Sequence, residues 1–503
     1  MASNPFAIEN QKTVLGHPIG LFILFLTEMW ERFSYYGMRA ILVLYLIAED
    51  VGKNAGLGFE EKDAYVLYGW YTMFVYIASI PGGIIADKII GQKKAVLIGE
   101  MLLVAGHSVL AIEALWAFYA GLSLIVMGVG MLKPNISTMV GGLYPIEEQN
   151  KRDMGFYIFY MGINLGAASA ALIVGYVGQN IGWHYGFGLA GIGMAIGQLT
   201  YWYGQRFLEN VGNLVIDERE ESKKLKSNVI SSIFKSLNST LGFFVTFFLG
   251  LYIFFDAWDY GLLIMCLSFA VGIAIVVYND GNRVEKDRIL VTYLSFLIII
   301  VFWGSFEQAG GLLNVYAAQK TDLAIGNFLV PASWFQSVNA IFILIFATVV
   351  GSFWVWWKNR GKESSSLFKM AIGVIIMGWG FFFMSAASVE YESEGLSGMH
   401  WLILAYLFHT IGELCASPVS LSFITKLAPQ RWMAFMMGAY FASTGLGNKL
   451  AGFLGEKATE VGEFSIFTGI AIFCTIFGLL VLLLIKPLKR LTHGAEDLST
   501  QNG

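Results

Sequence analysis

The chain has 503 residues, 56% hydrophobic and 15% aromatic, with 14% charged residues and a net charge of −4, where a soluble domain carries roughly 25% charged residues. Together with a mean hydropathy of +0.63, this excludes a soluble globular enzyme and a basic nucleic-acid-binding protein and indicates an integral membrane protein. Apolar runs of about 18 to 25 residues recur along the chain, the length of a helix across a bilayer rather than of a barrel strand.

The N-terminal stretch MASNPFAIENQKTVLGHP lacks the basic, apolar and small-residue order of a cleaved signal peptide, so the run at 20–47 is expected as a retained helix. Inside it, EMWERFSYYGMR places Glu28, Glu31, Arg32 and Arg39 between apolar flanks. Each charge costs about 2.5 to 3.5 kcal/mol at the centre of a membrane helix if unpaired. At 100° per residue Glu28, Arg32, Tyr35 and Arg39 fall within about 60° of one another, with Glu31 and Tyr36 on the flanks. Such a stripe must face a bundle interior or a water-filled cavity.

The next spans are expected at 64–86, 94–112, 116–142, 154–178 and 185–206. A polar linker from Phe207 to about Ser236, with DEREESKKLK at 217–226, separates them from a hairpin at 238–256 and 260–278. Six more spans follow at 289–312, 331–356, 367–388, 400–424, 432–454 and 464–486. The expected fold is all-α, with fourteen membrane helices: twelve core helices in two six-helix bundles and an inserted pair. The corresponding domains are 1–206, 207–288 for linker and hairpin, 289–490, and a tail at 491–503. With the N-terminus cytoplasmic, Lys and Arg concentrate in the cytoplasmic loops, for example Lys88, Lys93, Lys94, Lys151, Arg152, Arg283, Lys358, Arg360, Lys486 and Arg490. The positive-inside rule therefore places both termini in the cytoplasm. Cys266, Cys415 and Cys474 lie in apolar runs without paired spacing and read as packing residues; the six histidines show no metal-ligand spacing.

At 82–94, GGIIADKIIGQKK resembles the loop signature of the major facilitator superfamily, with Gly83, Asp87 and Gly91 as gating or structural positions; KNRGK at 358–362 is a weaker echo in the second half. The order Glu-x-x-Glu-Arg-Phe followed by Tyr-Tyr-Gly at Glu28–Gly37 is similar to the first-helix signature of the proton-dependent oligopeptide transporter family, of prokaryotic type. GMLKPNIST at 130–138, FYIFYMGINLGA at 156–167, FEQAGG at 306–311, WFQSVN at 334–339 and ELCASPVSLS at 413–422 resemble its further motifs, in order.

The resemblance implies a proton-coupled symporter that imports di- and tripeptides across the bacterial inner membrane, acting as a monomer, with the proton gradient as its energy source, no cofactor or metal, and no enzymatic activity. A short peptide is a zwitterion. Arg39 and Lys133, with Arg32 nearby, would take its carboxylate, and Glu413 its amine, helped by Asn339 and Asn164. Tyr36, Tyr76, Tyr160, Trp303 and Ser417 would line the pocket. Glu28, Glu31, Arg32 and Glu307 would couple the proton; Glu307 would pair with Arg39 to close the outer side, and Glu413 would pair with Lys133 in the absence of substrate. A nitrate-type or drug carrier is the alternative on the same fold; Glu413 argues against an anionic substrate. The sequence departs from the pattern at Tyr440, where many bacterial relatives have tryptophan. The second helix carries no histidine. His409 stands one turn before Glu413 and is expected to pack rather than to face the cavity, and Glu100 and His107, in an apolar run, have no expected role.

Overall fold

A computed structural model of the chain describes residues 13–145, 148–209, 211–214, 241–429 and 432–495. Fourteen long helical segments run through them. They are α1 (Ile19–Ile47), α2 (Glu61–Ile90), α3 (Gln92–Leu110), α4 (Leu115–Gly142), α5 (Gln149–Asn180), α6 (Trp183–Gly204), α7 (Leu241–Phe254), α8 (Trp258–Asp280), α9 (Arg283–Lys320), α10 (Ala332–Asn359), α11 (Ser366–Glu394), α12 (Met399–Leu427), α13 (Met433–Val461) and α14 (Glu463–Leu483). Nine helices among the described residues are long and apolar enough to cross a membrane. The first is not among them, because every stretch of α1 of spanning length contains charges from EMWERFSYYGMR. Most of the expected linker, including DEREESKKLK, lies outside the described residues.

Two compact units are present. The larger holds the described residues up to Leu214 together with Ser295–Ser422 and Met437–Ile485, and so contains most of both six-helix halves. The smaller holds the described residues of 215–294, 423–436 and those from Lys486 onward. In it the hairpin α7–α8 packs Phe243 against Phe269, with ring centroids 6.3 Å apart. The Tyr293 hydroxyl donates to the Ala274 carbonyl at 2.6 Å, and the Trp432 indole to Asp280 at 2.9 Å.

Within the larger unit, small residues set the helix crossings. Without a hydrophobic drive between helices in lipid, close backbone approach supplies the packing. Gly166 of α5 lies against α1, where a Cβ would collide with the Met29 carbonyl and stand 3.0 Å from the Arg32 Cβ. The motif FYMGINLGA thus presses α5 onto the charged turn of α1.

Several irregularities interrupt the helices, among them two prolines and a kink. Pro134 lies inside α4 and Pro418 inside α12. Each removes one backbone N–H donor and frees the carbonyl four residues earlier. In α9 the α-helix stops at Phe306, a 3-10 turn spans Glu307–Gly310, and helix resumes at Leu312–Lys320. The segment expected at 289–312 therefore continues past this kink to Lys320.

Candidate functional site

The polar stripe of α1 is buried along its length: Glu28, Glu31, Arg32 and Arg39 are each 4% exposed or less. Arg32 Nε lies 3.0 Å from Glu28 Oε1, an i,i+4 pair, and also contacts the Glu31 carboxylate. These are ion pairs by distance only. Both Glu31 oxygens, Glu28 Oε2, Arg32 Nε and Arg32 Nη2 lack an aligned hydrogen bond. Arg32 also faces the rings of Tyr35 and Tyr36, at 5.7 and 5.9 Å.

Two turns later, Arg39 reaches the other half. Its Nη1 donates to both oxygens of Glu307, at 3.1 and 2.9 Å, and its Nη2 donates to Gln336 Oε1 at 3.3 Å. The Tyr68 hydroxyl donates to Glu307 Oε2 at 3.0 Å. The 3-10 turn of α9 places Glu307 there, with Gly310 against the Tyr68 ring. Arg39 further covers the ring of Tyr36, at 4.8 Å. Tyr68 and Gln336 were not among the expected site residues. Their signal was positional: Tyr68 lies two turns before Tyr76, and Gln336 one turn before Asn339.

Lys133 sits on α4 immediately before Pro134, with its ammonium 3.8 Å from the centre of the Tyr76 ring on α2. The two helices approach closely because Gly82 lies against the Gly130 carbonyl, the acceptor that Pro134 leaves without its helical donor. The close-contact glycine of this loop is therefore Gly82. At Gly83 an added Cβ would make only ordinary contact with Pro134, at 3.8 Å. Gly91 ends the π-helical turn Ala86–Ile90 with φ +85°, and a Cβ there would press on the Leu214 amide. Asp87 is exposed and accepts a hydrogen bond from Gln92 at 3.4 Å.

In the second half, the Asn339 amide donates to Glu413 Oε2 and to Thr410 Oγ1, both at 3.0 Å. Glu413 lies within electrostatic reach of Tyr36, Tyr160 and Tyr440, which brings the two halves around one cleft. Asn164 spends a side-chain donor on the Tyr160 carbonyl of its own helix, at 3.0 Å. Tyr36, Tyr76, Lys133, Trp303, Asn339, Ser417 and Tyr440 are half-buried at mid-helix positions, and Tyr160 is 38% exposed. Trp303 and Ser417 meet at a small cavity that they share with Phe302, Met370 and Ser420.

One expected pair is not formed. Lys133 and Glu413 make no ion pair: the lysine lies over Tyr76 and the glutamate is held by Asn339. His409 packs, as expected, with its ring 4.6 Å from that of Phe381 and no polar partner on either nitrogen.

Bonds between the halves cluster at the end where α1 finishes and α2 begins. Besides Arg39–Glu307, the Asn314 amide donates to the Ala40 carbonyl at 2.9 Å and the Trp334 indole to the Leu172 carbonyl at 2.9 Å. Ser333 donates to Gln179 at 2.7 Å, Gln319 to Glu61 at 2.9 Å, and Lys62 lies 3.7 Å from Glu456.

Comparison with known proteins places this arrangement. Residues 93–466 match the POT family. The chain is 35% identical over 495 residues to the di-/tripeptide transporter of Lactococcus lactis subsp. cremoris, covering 96% of this chain and 98% of the relative. It is 33% identical over 510 residues to the peptide transporter YePEPT of Yersinia enterocolitica, covering 97% and 98%. Among solved structures, a mutant of the peptide transporter POT in complex with alafosfalin superposes with a TM-score of 0.81 at 34% identity, over 97% of this chain and 98% of that one.

Proposed function

The chain belongs to the POT family, and from that premise we propose that it imports di- and tripeptides together with protons across the bacterial inner membrane by alternating access. It is a multi-pass membrane transporter of the same kind as the di-/tripeptide and peptide transporters it resembles. The observation that carries the substrate class is the separation of charge across the cleft. Arg32, Arg39 and Lys133 stand on the first half and Glu413, with Asn339, on the second. That spacing of cationic and anionic ends suits a zwitterion, while half-exposed tyrosines accept varied side chains with little geometric demand.

The excess of Lys and Arg in one set of loops supports cytoplasmic termini. The end joined by Arg39–Glu307 is then the outer one. Protonation of a carboxylate in the Glu28–Arg32–Glu31 group or of Glu307 would release an arginine and shift the balance between states. We further infer that a single copy suffices, since both ends of the cleft come from one chain.

The reading is tested in proteoliposomes carrying the purified protein. An inward-directed proton gradient should drive accumulation of labelled dialanine, and a protonophore should abolish it. Uptake insensitive to the gradient would remove the symport reading, and absence of dialanine uptake would remove the substrate class.

A further inference from the structure

At the end of α10 the second half carries a group of aromatic rings and cations that the transport site does not use. Phe353, Trp354, Trp356 and Trp357 fill the last two turns of the helix, and Lys358, Arg360 and Lys362 follow them. The rings pack on one another: Phe353 lies 5.8 Å from Trp356 and 5.6 Å from Trp357, centre to centre. Two of the cations then fold back over rings. The Arg360 guanidinium stands 4.1 Å from the centre of the Trp356 ring and the Lys362 ammonium 4.2 Å from that of Trp357. Both are within the roughly 6 Å at which a ring face attracts a cation. From α11, Lys369 covers the Trp354 ring at 5.3 Å. The chain reverses here through Gly361, at φ +69°, and the Trp357 indole ties the reversal down by donating to the Glu363 carbonyl at 2.8 Å.

This group faces lipid rather than protein. The apolar span of α10 is 22% buried inside the molecule, against 67% for α11, and Phe353, Val355 and Trp356 are all exposed. Tryptophan prefers the level where hydrocarbon gives way to headgroups, so the rings set the depth of this helix end. Arg360 and Lys362 are exposed there, and neither has an ion-pair partner among the described residues. The one acid of the loop, Glu363, accepts from the Ser365 amide at 2.8 Å, so three cations stand against a single carboxylate. A ring face covers one side of a guanidinium or ammonium, and N–H donors remain for a phosphate. We propose that the end of α10 and its loop to α11 bind the headgroup of an anionic phospholipid, with Arg360 and Lys362 on the phosphate and an acyl chain along Phe353 and Val355. Charge selects the occupant: a zwitterionic headgroup brings a cation of its own into the basic loop, whereas an anionic one does not. A second copy of the chain, paired symmetrically through this patch, would bring the same three cations against these.

The test reads lipid binding on the delipidated full chain in detergent and is independent of transport. In native mass spectrometry, phosphatidylglycerol should be retained as adducts at lower concentration than phosphatidylcholine, and equal retention overturns the proposal. Arg360→Gln with Lys362→Gln should weaken phosphatidylglycerol binding on the order of twenty- to thirtyfold and leave phosphatidylcholine binding unchanged. Both positions lie in an exposed loop, so the double variant keeps its helices. Lys88→Gln with Lys94→Gln removes two exposed cations from the first half's loop and should change the binding little. An equal loss in that variant would show diffuse attraction to any basic loop and overturn the site. Phosphatidylglycerol with brominated chains should quench tryptophan fluorescence more than brominated phosphatidylcholine, and most of the excess should disappear in Trp356→Phe with Trp357→Phe. An undiminished excess places the lipid elsewhere and overturns the proposal. So would displacement of the lipid by inorganic phosphate, which would mark a site for a free anion, or dimers of the chain appearing in place of lipid adducts.

Discussion

Arg39 of α1 gives its hydrogens to Glu307 and Gln336 on the other half of the molecule, whereas Arg32, two turns earlier, contacts two carboxylates of its own helix and aligns a hydrogen bond with neither. Both arginines are 4% exposed. Burial alone therefore does not decide what an ion pair does. The first group is bonded across a boundary that alternating access must open, so it acts as a latch. The second leaves five polar atoms of Glu28, Glu31 and Arg32 unbonded. A group with unmet hydrogen-bonding capacity in a low dielectric is poised to change partner or protonation state.

If the latch reading is right, the largest effect comes from cutting it on one side. Arg39→Ala leaves Glu307 buried with only Tyr68, and breaking one partner of a buried pair costs about 3–5 kcal/mol. The variant should melt well below the wild type in detergent and show no driven uptake. Replacing both partners, Arg39→Met with Glu307→Leu, should recover most of the thermal stability without recovering transport, because the halves then stay joined by apolar contact. A double variant no more stable than Arg39→Ala would show that the pair is not the latch.

Much of this contrast was legible in the sequence. The charges of EMWERFSYYGMR and the resemblance to a known motif set point to Arg39, Glu307, Lys133 and Glu413, and length and hydropathy indicate fourteen helices. What escaped depends on helix rotation and on conformation. Gly82 and Gly83 are adjacent, and only the roll of α2 against α4 brings Gly82, not Gly83, onto the Gly130 carbonyl. The span expected to end at 312 continues as helix to Lys320, beyond the 3-10 turn at Glu307–Gly310. Lys133, expected to pair with Glu413, lies over Tyr76. Tyr68 donates to Glu307, and Thr410 accepts from the Asn339 amide that also holds Glu413, both from positions that motif reading passes over.

A smaller effect should come from the anionic side of the cleft. A hydrogen bond to a charged group contributes about 1.5–3 kcal/mol, so Glu413→Gln should weaken peptides with a free amine by about ten- to a hundredfold. The same peptides N-acetylated should lose much less, as read from competition against labelled dialanine in counterflow. Equal loss for both would contradict the amine assignment and leave Arg39, Arg32 and Lys133 as the only charges with a substrate role.

The smallest stability change and the most selective functional one belong to the lower group. Glu28→Gln or Glu31→Gln removes one of two carboxylates that Arg32 contacts without aligned bonds, so one acid remains to balance the guanidinium. The loss in thermal stability should stay within about 1 kcal/mol, far below that of Arg39→Ala, because little hydrogen bonding is given up. Driven uptake should nevertheless disappear while counterflow persists, because exchange of peptide for peptide needs no proton but accumulation does. If either variant melts as early as Arg39→Ala, the lower group is structural, and the distinction between latch and poised pair collapses. If both variants still concentrate dialanine, proton coupling resides elsewhere on α1 or α9, with Glu307 the next carboxylate to test.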